Sequence, residues 1–386
     1  MRVNGEWLIA GGPQALCKAL QGAGYQVYFV GGCVRNALLK VDVSDIDMAT
    51  DAGPDTVVKI AENHHMRAIP TGIEHGTVTI IANNTTIEVT TFRKDVETDG
   101  RRAVVAFSTS INDDAKRRDF TMNALYADCA GRVLDPLGGL KDLRARRVRF
   151  IENPDARIRE DYLRILRFFR FHALYGNPEM GLDADALAAC AGNLDGITTL
   201  SKERIGHEMR KLLAANDPAP SIAAMAQTGI LAQVLTGTNP QSIAPLVHLE
   251  STINIAPRWQ RRLLALGGEN IQQALRLGKQ ESRLLTAMKS VVETAVSPRI
   301  AAYKLGAENG LDAVLVLHAH LATPLPANLA QELDIGANAK FPVTAADLSP
   351  LEGPALGGGL KRLEAAWLRS GLQLSKAKLL DLGSHG

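Results

Sequence analysis

Hydrophobic residues along this chain follow two different rhythms. Up to about residue 140 they come as short runs broken by turns, and from Asp155 onward they recur at helical spacing almost to the end. In the first stretch, Leu16, Leu20 and Ala23 share one side of a helix over 13–24, with Gly24 placed to end it. The apolar run 25–30 predicts a short buried strand that feeds Gly31 and Gly32, and Ala37, Leu38 and Leu39 then mark a helix. Asp51-Ala52-Gly53-Pro54 is a turn, and Pro54 opens a helix over 55–63. His64 and His65 are adjacent, so they point to different faces of any regular element and are read as surface residues. Residues 69–81 form a turn feeding a strand, which Asn83-Asn84 returns through 86–92 as a hairpin.

Beyond the hairpin, Lys94, Asp95, Glu97, Asp99, Gly100, Arg101 and Arg102 make 93–110 a polar loop, either one that closes on substrate or a solvated connector. Asp119 is placed to cap a helix with Met122, Leu125 and Tyr126 on its apolar face. Arg117 and Arg118 before it have no evident structural task. The turn Leu134-Asp135-Pro136-Leu137-Gly138-Gly139 closes a first domain over 1–140. Arg144, Arg146, Arg147 and Arg149 then crowd an extended run, and continuous helices are expected over 159–171 and 201–213, the second capped by Ser201. Past Asn216-Asp217-Pro218 come Ala- and Leu-rich helices with no fixed repeat, broken by loops at 324–326 and 347–353. The expected class is therefore α+β: a head with a small mixed sheet over 1–140, a helical neck over 141–215, and a helical body and tail over 216–386.

Composition narrows the partners. With 43 Lys and Arg against 41 Asp and Glu the net charge is +2, so any nucleic acid must be met by local basic patches. One candidate is Lys361 and Arg362, expected in the first turns of a helix after Gly357-Gly358-Gly359; an ordinary loop-to-helix joint explains the same residues. Cys17, Cys33, Cys129 and Cys190 are isolated from one another, which argues against zinc and against a disulfide framework and favours a reducing, cytoplasmic setting. Residues 1–12 have too short an apolar run and too little basic flank to be expected as a signal peptide, and no stretch approaches the length needed to span a membrane.

Chemistry gathers where Gly31, Gly32 and Arg35 are followed by Asp45 and Asp47. Glycines at a strand-to-helix junction let backbone N–H groups approach an anion. Carboxylates two apart on a strand leave the same face and share a cation. Glu88, a charge in the middle of a β-branched strand, is either on an exposed edge or a third carboxylate for that cation. On the helix over 159–171, Glu160, Asp161, Arg164 and Arg167 share a side; they form either a surface salt-bridge ladder or a rigid donor and acceptor edge for a base.

Taken in order, these pieces resemble the class II tRNA nucleotidyltransferases, the CCA-adding enzymes of the polymerase-beta nucleotidyltransferase superfamily, over residues 25–215. Gly31-Gly32, Arg35 and Asp45-Ile46-Asp47 resemble the first family motif; Arg117-Arg118-Asp119-Phe120-Thr121-Met122-Asn123-Ala124 the second; and Asp135-Pro136 with Gly138-Gly139 the third. Glu160, Asp161 and Arg164 resemble the fourth, and Arg204-Ile205 with Glu208 and Lys211 the fifth.

The resemblance implies a polymerase-beta-like head, with Asp45 and Asp47 holding two Mg²⁺ ions and Glu88 near the attacking RNA 3′-hydroxyl. It implies a triphosphate on Gly31, Gly32 and Arg35, sugar contacts from Arg118 and Asp119 in the motif that includes Asn123, and CTP or ATP read by Asp161 and Arg164. Glu160 and Arg167 would support that pair, and tRNA would be the acceptor. Where the family usually has aspartate this chain has Asn36, which caps a helix equally well. The runners-up are poly(A) polymerase, an enzyme adding only CC or only A, and a non-catalytic RNA-binding relative. Residues 68–77 lack the basic, Phe-containing stretch of the poly(A) enzymes, the polar loop over 93–102 favours the complete activity or A addition, and the three carboxylates favour catalysis.

Overall fold

The apolar runs of the first 140 residues become the strands of one sheet. The computed structural model describes residues 1–99 and 102–384. Among these, nine strands occur: β1 (Val27–Val30), β2 (Ile46–Thr50), β3 (Arg67–Gly72), β4 (Thr77–Ala82), β5 (Thr85–Thr91), β6 (Arg93–Asp99), β7 (Arg102–Phe107), β8 (Tyr126–Ala127) and β9 (Val133–Leu134). Seven of them form a mixed sheet in the order β3-β4-β5-β2-β1-β8-β9, and β6 pairs only with β7. The β2–β5 pair is parallel, with Asp47 opposite Glu88, and its neighbours are antiparallel. Helices α1 (Glu6–Ile9), α2 (Gly11–Gly22), α3 (Gly32–Leu39) and α4 (Pro54–Asn63) precede β3, and α2 and α4 pack together against the sheet. After the ribbon come α5 (Ile111–Lys116), α6 (Gly139–Arg144), α7 (Pro154–Glu160), α8 (Leu163–Tyr175), α9 (Ala184–Gly192) and α10 (Lys202–Leu213). No strand of the described residues lies beyond Leu134, so the α+β class with a mixed-sheet head is observed.

Asn83 and Asn84 both adopt positive φ, 46° and 61°, which is what a two-residue hairpin turn between β4 and β5 requires. Several local expectations are corrected. Residues 69–72 belong to β3 and pair with β4; the turn is confined to the 3-10 segment Ile73–His75. Pro70 is tolerated because β3 is the sheet's edge. Glu88 is exposed, yet β5 lies inside the sheet between β4 and β2, so it is not on an edge strand. The expected polar loop is the β6–β7 ribbon, with Gly100 and Arg101 outside the described residues. A ladder satisfies backbone groups whatever the side-chain polarity, and a ribbon outside the main sheet has no face that must be apolar.

The helix expected after Asp119 is a single 3-10 turn, Thr121–Asn123, because Phe120 bridges to Phe150 and Tyr126 joins β8. The arginine-rich stretch is not extended: Arg144 ends α6, and Arg146 turns the chain with φ 51°. The continuous helix expected over 159–171 is broken. Asp161 has extended φ/ψ of −155° and 104° between α7 and α8, and it accepts a hydrogen bond from the Leu163 N–H at 3.1 Å. Glycines 357–359 lie inside the helix Gly353–Arg369, so Lys361 and Arg362 are exposed mid-helix and not in its first turns. Finally, Cys17 on α2 and Cys129 after β8 form a disulfide with Cα atoms 6.2 Å apart, across 112 residues of chain. Packing brings them together, and the inference from isolated cysteines to a reducing setting falls with it. Cys33 and Cys190 are free and buried.

The described chain divides into two compact units, Met1–Ile205 with Gln227–Gln233, and Gly206–Ala226 with Val234–Gly386. The second is helical and encloses a charged cluster. Glu250 Oε1 accepts from Arg261 Nε at 2.7 Å, Glu250 Oε2 accepts from Arg262 Nη2 at 2.7 Å, and Arg261 Nη1 donates to Asp312 at 3.0 Å. Arg262 also donates to the carbonyls of Leu213, Ala215 and Asn216. No described helix is long and apolar enough to cross a membrane.

Candidate active site

Gly31 joins β1 to α3 with φ 70°, a conformation that glycine adopts without strain. A Cβ here would stand 3.4 Å from Arg118 Nη1, so the missing side chain also makes room for that guanidinium. The Gly31 N–H donates to the Leu125 carbonyl at 3.1 Å and does not face the cavity. Arg35, one turn on, is buried, and four of its N–H donors are engaged: by Asn36 Oδ1 at 3.1 and 2.8 Å, Asn123 Oδ1 at 2.5 Å and Tyr175 Oη at 2.8 Å. Its guanidinium lies 4.0 Å from the Tyr175 ring centroid. Arg35 is thus a strut between α3 and α8 that also lines the cavity, with one N–H donor left.

Asp45 is exposed just before β2, Asp47 is half-buried on it, and Glu88 stands opposite Asp47 on β5. Burial, then the Glu88 and Asp45 charges, push the Asp47 carboxyl up to about 6, against the opposing pull of Arg118 and Arg35. Among the described residues no three His, Cys, Asp or Glu side chains are grouped to hold a metal ion by themselves. The carboxylates therefore offer a partial, all-oxygen set, which suits a hard cation completed by substrate phosphates.

Across a cavity of about 440 Å³, Gly31, Gly32 and Asp47 face Arg118, Asp119, Asn123, Asp161, Arg164, Arg167 and Arg204. Asp119 accepts from the Phe120 N–H at 2.8 Å, Asn123 Nδ2 at 2.9 Å and Arg167 Nε at 2.7 Å. Burial alone would raise its pKa, but Arg167 and these hydrogen bonds hold it down to about 2. At the α7–α8 break, Glu160 Oε2 accepts from Arg164 Nη1 at 2.6 Å, and Arg164 also donates to the carbonyls of Arg157 at 2.7 Å and Arg117 at 3.0 Å. Asp161 Oδ2 accepts from Arg204 Nη2 at 2.7 Å. Hence the expected Glu160–Arg164 pair forms, whereas Asp161 is held from α10.

Lys361 and Arg362 lie in the other unit. Asp114 and Tyr175 were not singled out in the sequence, and Tyr126 was read only as part of an apolar helix face. For Asp114 a signal existed, since it precedes Arg117 and Arg118 at helical ion-pair spacing.

Known proteins with the same order of parts are numerous. The family described as Poly A polymerase head domain matches residues 27–149, and the one described as probable RNA and SrmB-binding site of polymerase A matches 179–241. The CCA-adding enzyme of Lacticaseibacillus paracasei is 31% identical over 96% of this chain and 95% of its own length. The chain belongs to the CCA-adding enzyme family. Its family also includes a human mitochondrial CCA tRNA nucleotidyltransferase, 30% identical over 97% of this chain and 90% of that one. The CCA-adding enzyme of Bacillus stearothermophilus, solved in complex with CTP, superposes with a TM-score of 0.73 at 27% identity, covering 96% of this chain and 97% of that one. The Thermotoga maritima CCA-adding enzyme, solved in complex with tRNA, shares the fold with a TM-score of 0.68 at 17% identity, over 97% and 94% of the two chains.

Proposed function

We propose that this chain adds C, C and A to the 3′ end of tRNA from CTP and ATP, releasing pyrophosphate. The observation that carries this reading is one cavity bounded by the Asp47 carboxylate on one side and by the Glu160–Arg164 and Asp161–Arg204 pairs on the other. The first side suits phosphate chemistry, and the second presents a fixed polar edge to a base.

Asp45 and Asp47 would hold Mg²⁺, which when bound neutralises phosphate charge and favours ionisation of the attacking hydroxyl. The raised pKa of Asp47 fits this role, since a cation relieves the repulsion from Glu88 and Asp45 that raises it. Glu88, exposed beside Asp47, would lie near the attacking RNA 3′-hydroxyl. Arg118 would contact the triphosphate and sugar with Asp119 and Asn123. Asp119 and Arg167 fix one another, so the sugar is met by a rigid surface. Arg164 and Asp161 would read CTP or ATP, with Glu160 and Arg204 fixing their orientation. Lys361 and Arg362 supply exposed charge for a tRNA phosphate, without help from a helix terminus.

Incubating the protein with tRNA lacking its 3′ end, with CTP, ATP or both, and counting added nucleotides tests the activity. Two C residues from CTP alone and a following A from the mixture are expected; ATP addition in long runs would instead indicate a poly(A) polymerase. Asp47→Ala is expected to abolish incorporation while tRNA binding stays within about threefold, since the metal platform is lost and the RNA surface is not.

A further inference from the structure

Asp114 is a buried carboxylate beside the cavity, outside every motif that the sequence singles out. Its side chain has 0% exposure, whereas those of Arg117 and Arg118 retain 14% and 17% and line the cavity. Oδ1 accepts from Arg117 Nε and Nη2, both at 2.7 Å. Oδ2 accepts from Arg118 Nη2 at 2.9 Å, from Arg118 Nε at 3.3 Å and from the Tyr126 hydroxyl at 2.7 Å. Tyr126 is fully buried on β8, and its oxygen accepts from Arg118 Nε at 3.2 Å.

These five donors saturate a carboxylate, which has about four lone-pair sites, so Asp114 has no capacity left for substrate. Its effect must pass through the two guanidinium groups. Two cations against one anion leave a net positive charge whose free edges face the cavity. We propose that Asp114, backed by Tyr126, is the positioning residue that locks Arg117 and Arg118 in the orientation in which they receive the nucleotide triphosphate.

The physical reason is conformational. A free arginine loses several rotatable degrees of freedom when it grips a phosphate, and a guanidinium already clamped at Nε and one Nη has lost them beforehand. The clamp is rigid because Asp114 sits on α5, Tyr126 on the sheet, and neither can turn to solvent. Burial would raise the Asp114 pKa, but Arg118, Arg117 and the Tyr126 hydroxyl hold it down to about 2, so the clamp stays ionised at working pH.

This proposal rests on the reading that Arg118 meets the triphosphate, and the two are separable. Asp114→Asn keeps shape but removes the charge; it is expected to raise KM for CTP and ATP alike by about tenfold, the scale of a lost charge-assisted hydrogen bond. Inhibition by tripolyphosphate should weaken by the same factor, while kcat and the preference between CTP and ATP change little. Tyr126→Phe, which removes only a hydroxyl, should move KM in the same direction by about threefold and decides the matter if Asp114→Asn fails to fold. In an Arg118→Ala background, Asp114→Asn should add little to the loss. A lowered Tm with unchanged KM and tripolyphosphate inhibition in both single variants would overturn the proposal. If Arg118→Ala itself leaves both constants unchanged, the underlying reading fails and the proposal with it.

Discussion

Asp119 shows how much one side chain can be asked to do. It is buried, yet it accepts from a backbone N–H, from Asn123 and from Arg167. Its folded pKa of about 2 lies below the ordinary 3.8, so its stabilising effect is complete above about pH 4 and is lost as pH falls toward 2. Thermal melts of wild type and Asp119→Asn between pH 4 and pH 2 should therefore differ: wild-type Tm falls more steeply, because the variant has no carboxylate left to protonate. Equal slopes would remove Asp119 from the acid transition. Asp47 runs the other way: with its pKa raised from the ordinary 3.8 to about 6, it costs stability as pH rises across that window and by a constant amount above it. Residue identities at the site were legible because charged side chains in apolar surroundings stand out. Their pairings were only partly so: Glu160–Arg164 follows from helical spacing, whereas Asp161–Arg204 joins residues 43 apart in sequence.

At the scale of elements, the α7–α8 break decides where the polar edge of the site points. Helical periodicity runs straight through 159–171, which hid the extended Asp161. The break is held by tertiary packing: Gly196 lies against the ring of Tyr162, and any Cβ there would overlap it. Gly196→Ala should therefore displace Tyr162, lowering stability by about 1–3 kcal/mol in denaturant melts, as overpacking does. It should also broaden nucleotide choice, because Asp161 precedes Tyr162 directly. An unchanged midpoint would mean that the ring has room to move. Elsewhere local chemistry sufficed: the Asn83-Asn84 turn, the Pro54 start of α4 and the Gly31 junction each follow from what those residues do to φ.

At the scale of the whole molecule, the second unit depends on a charge cluster that the sequence does not announce. Arg261 and Arg262 are 2% and 1% exposed, and Glu250 joins them. Glu250→Ala leaves two guanidinium groups buried without that carboxylate and should cost about 3–5 kcal/mol, measured by chemical denaturation. A loss below about 1 kcal/mol would mean that water or Asp312 takes over.

What the sequence determined by itself was the class of fold, many of its local elements and a set of candidate site residues. Each is written locally, in the period of apolar positions, in turn chemistry and in motif spacing. Tertiary structure alone decided the parallel pairing that sets Asp47 against Glu88, the Cys17–Cys129 bridge and the hold of Arg204 on Asp161. Those contacts join residues far apart along the chain. Their geometry comes from how sheet and helices pack, and no local pattern records it.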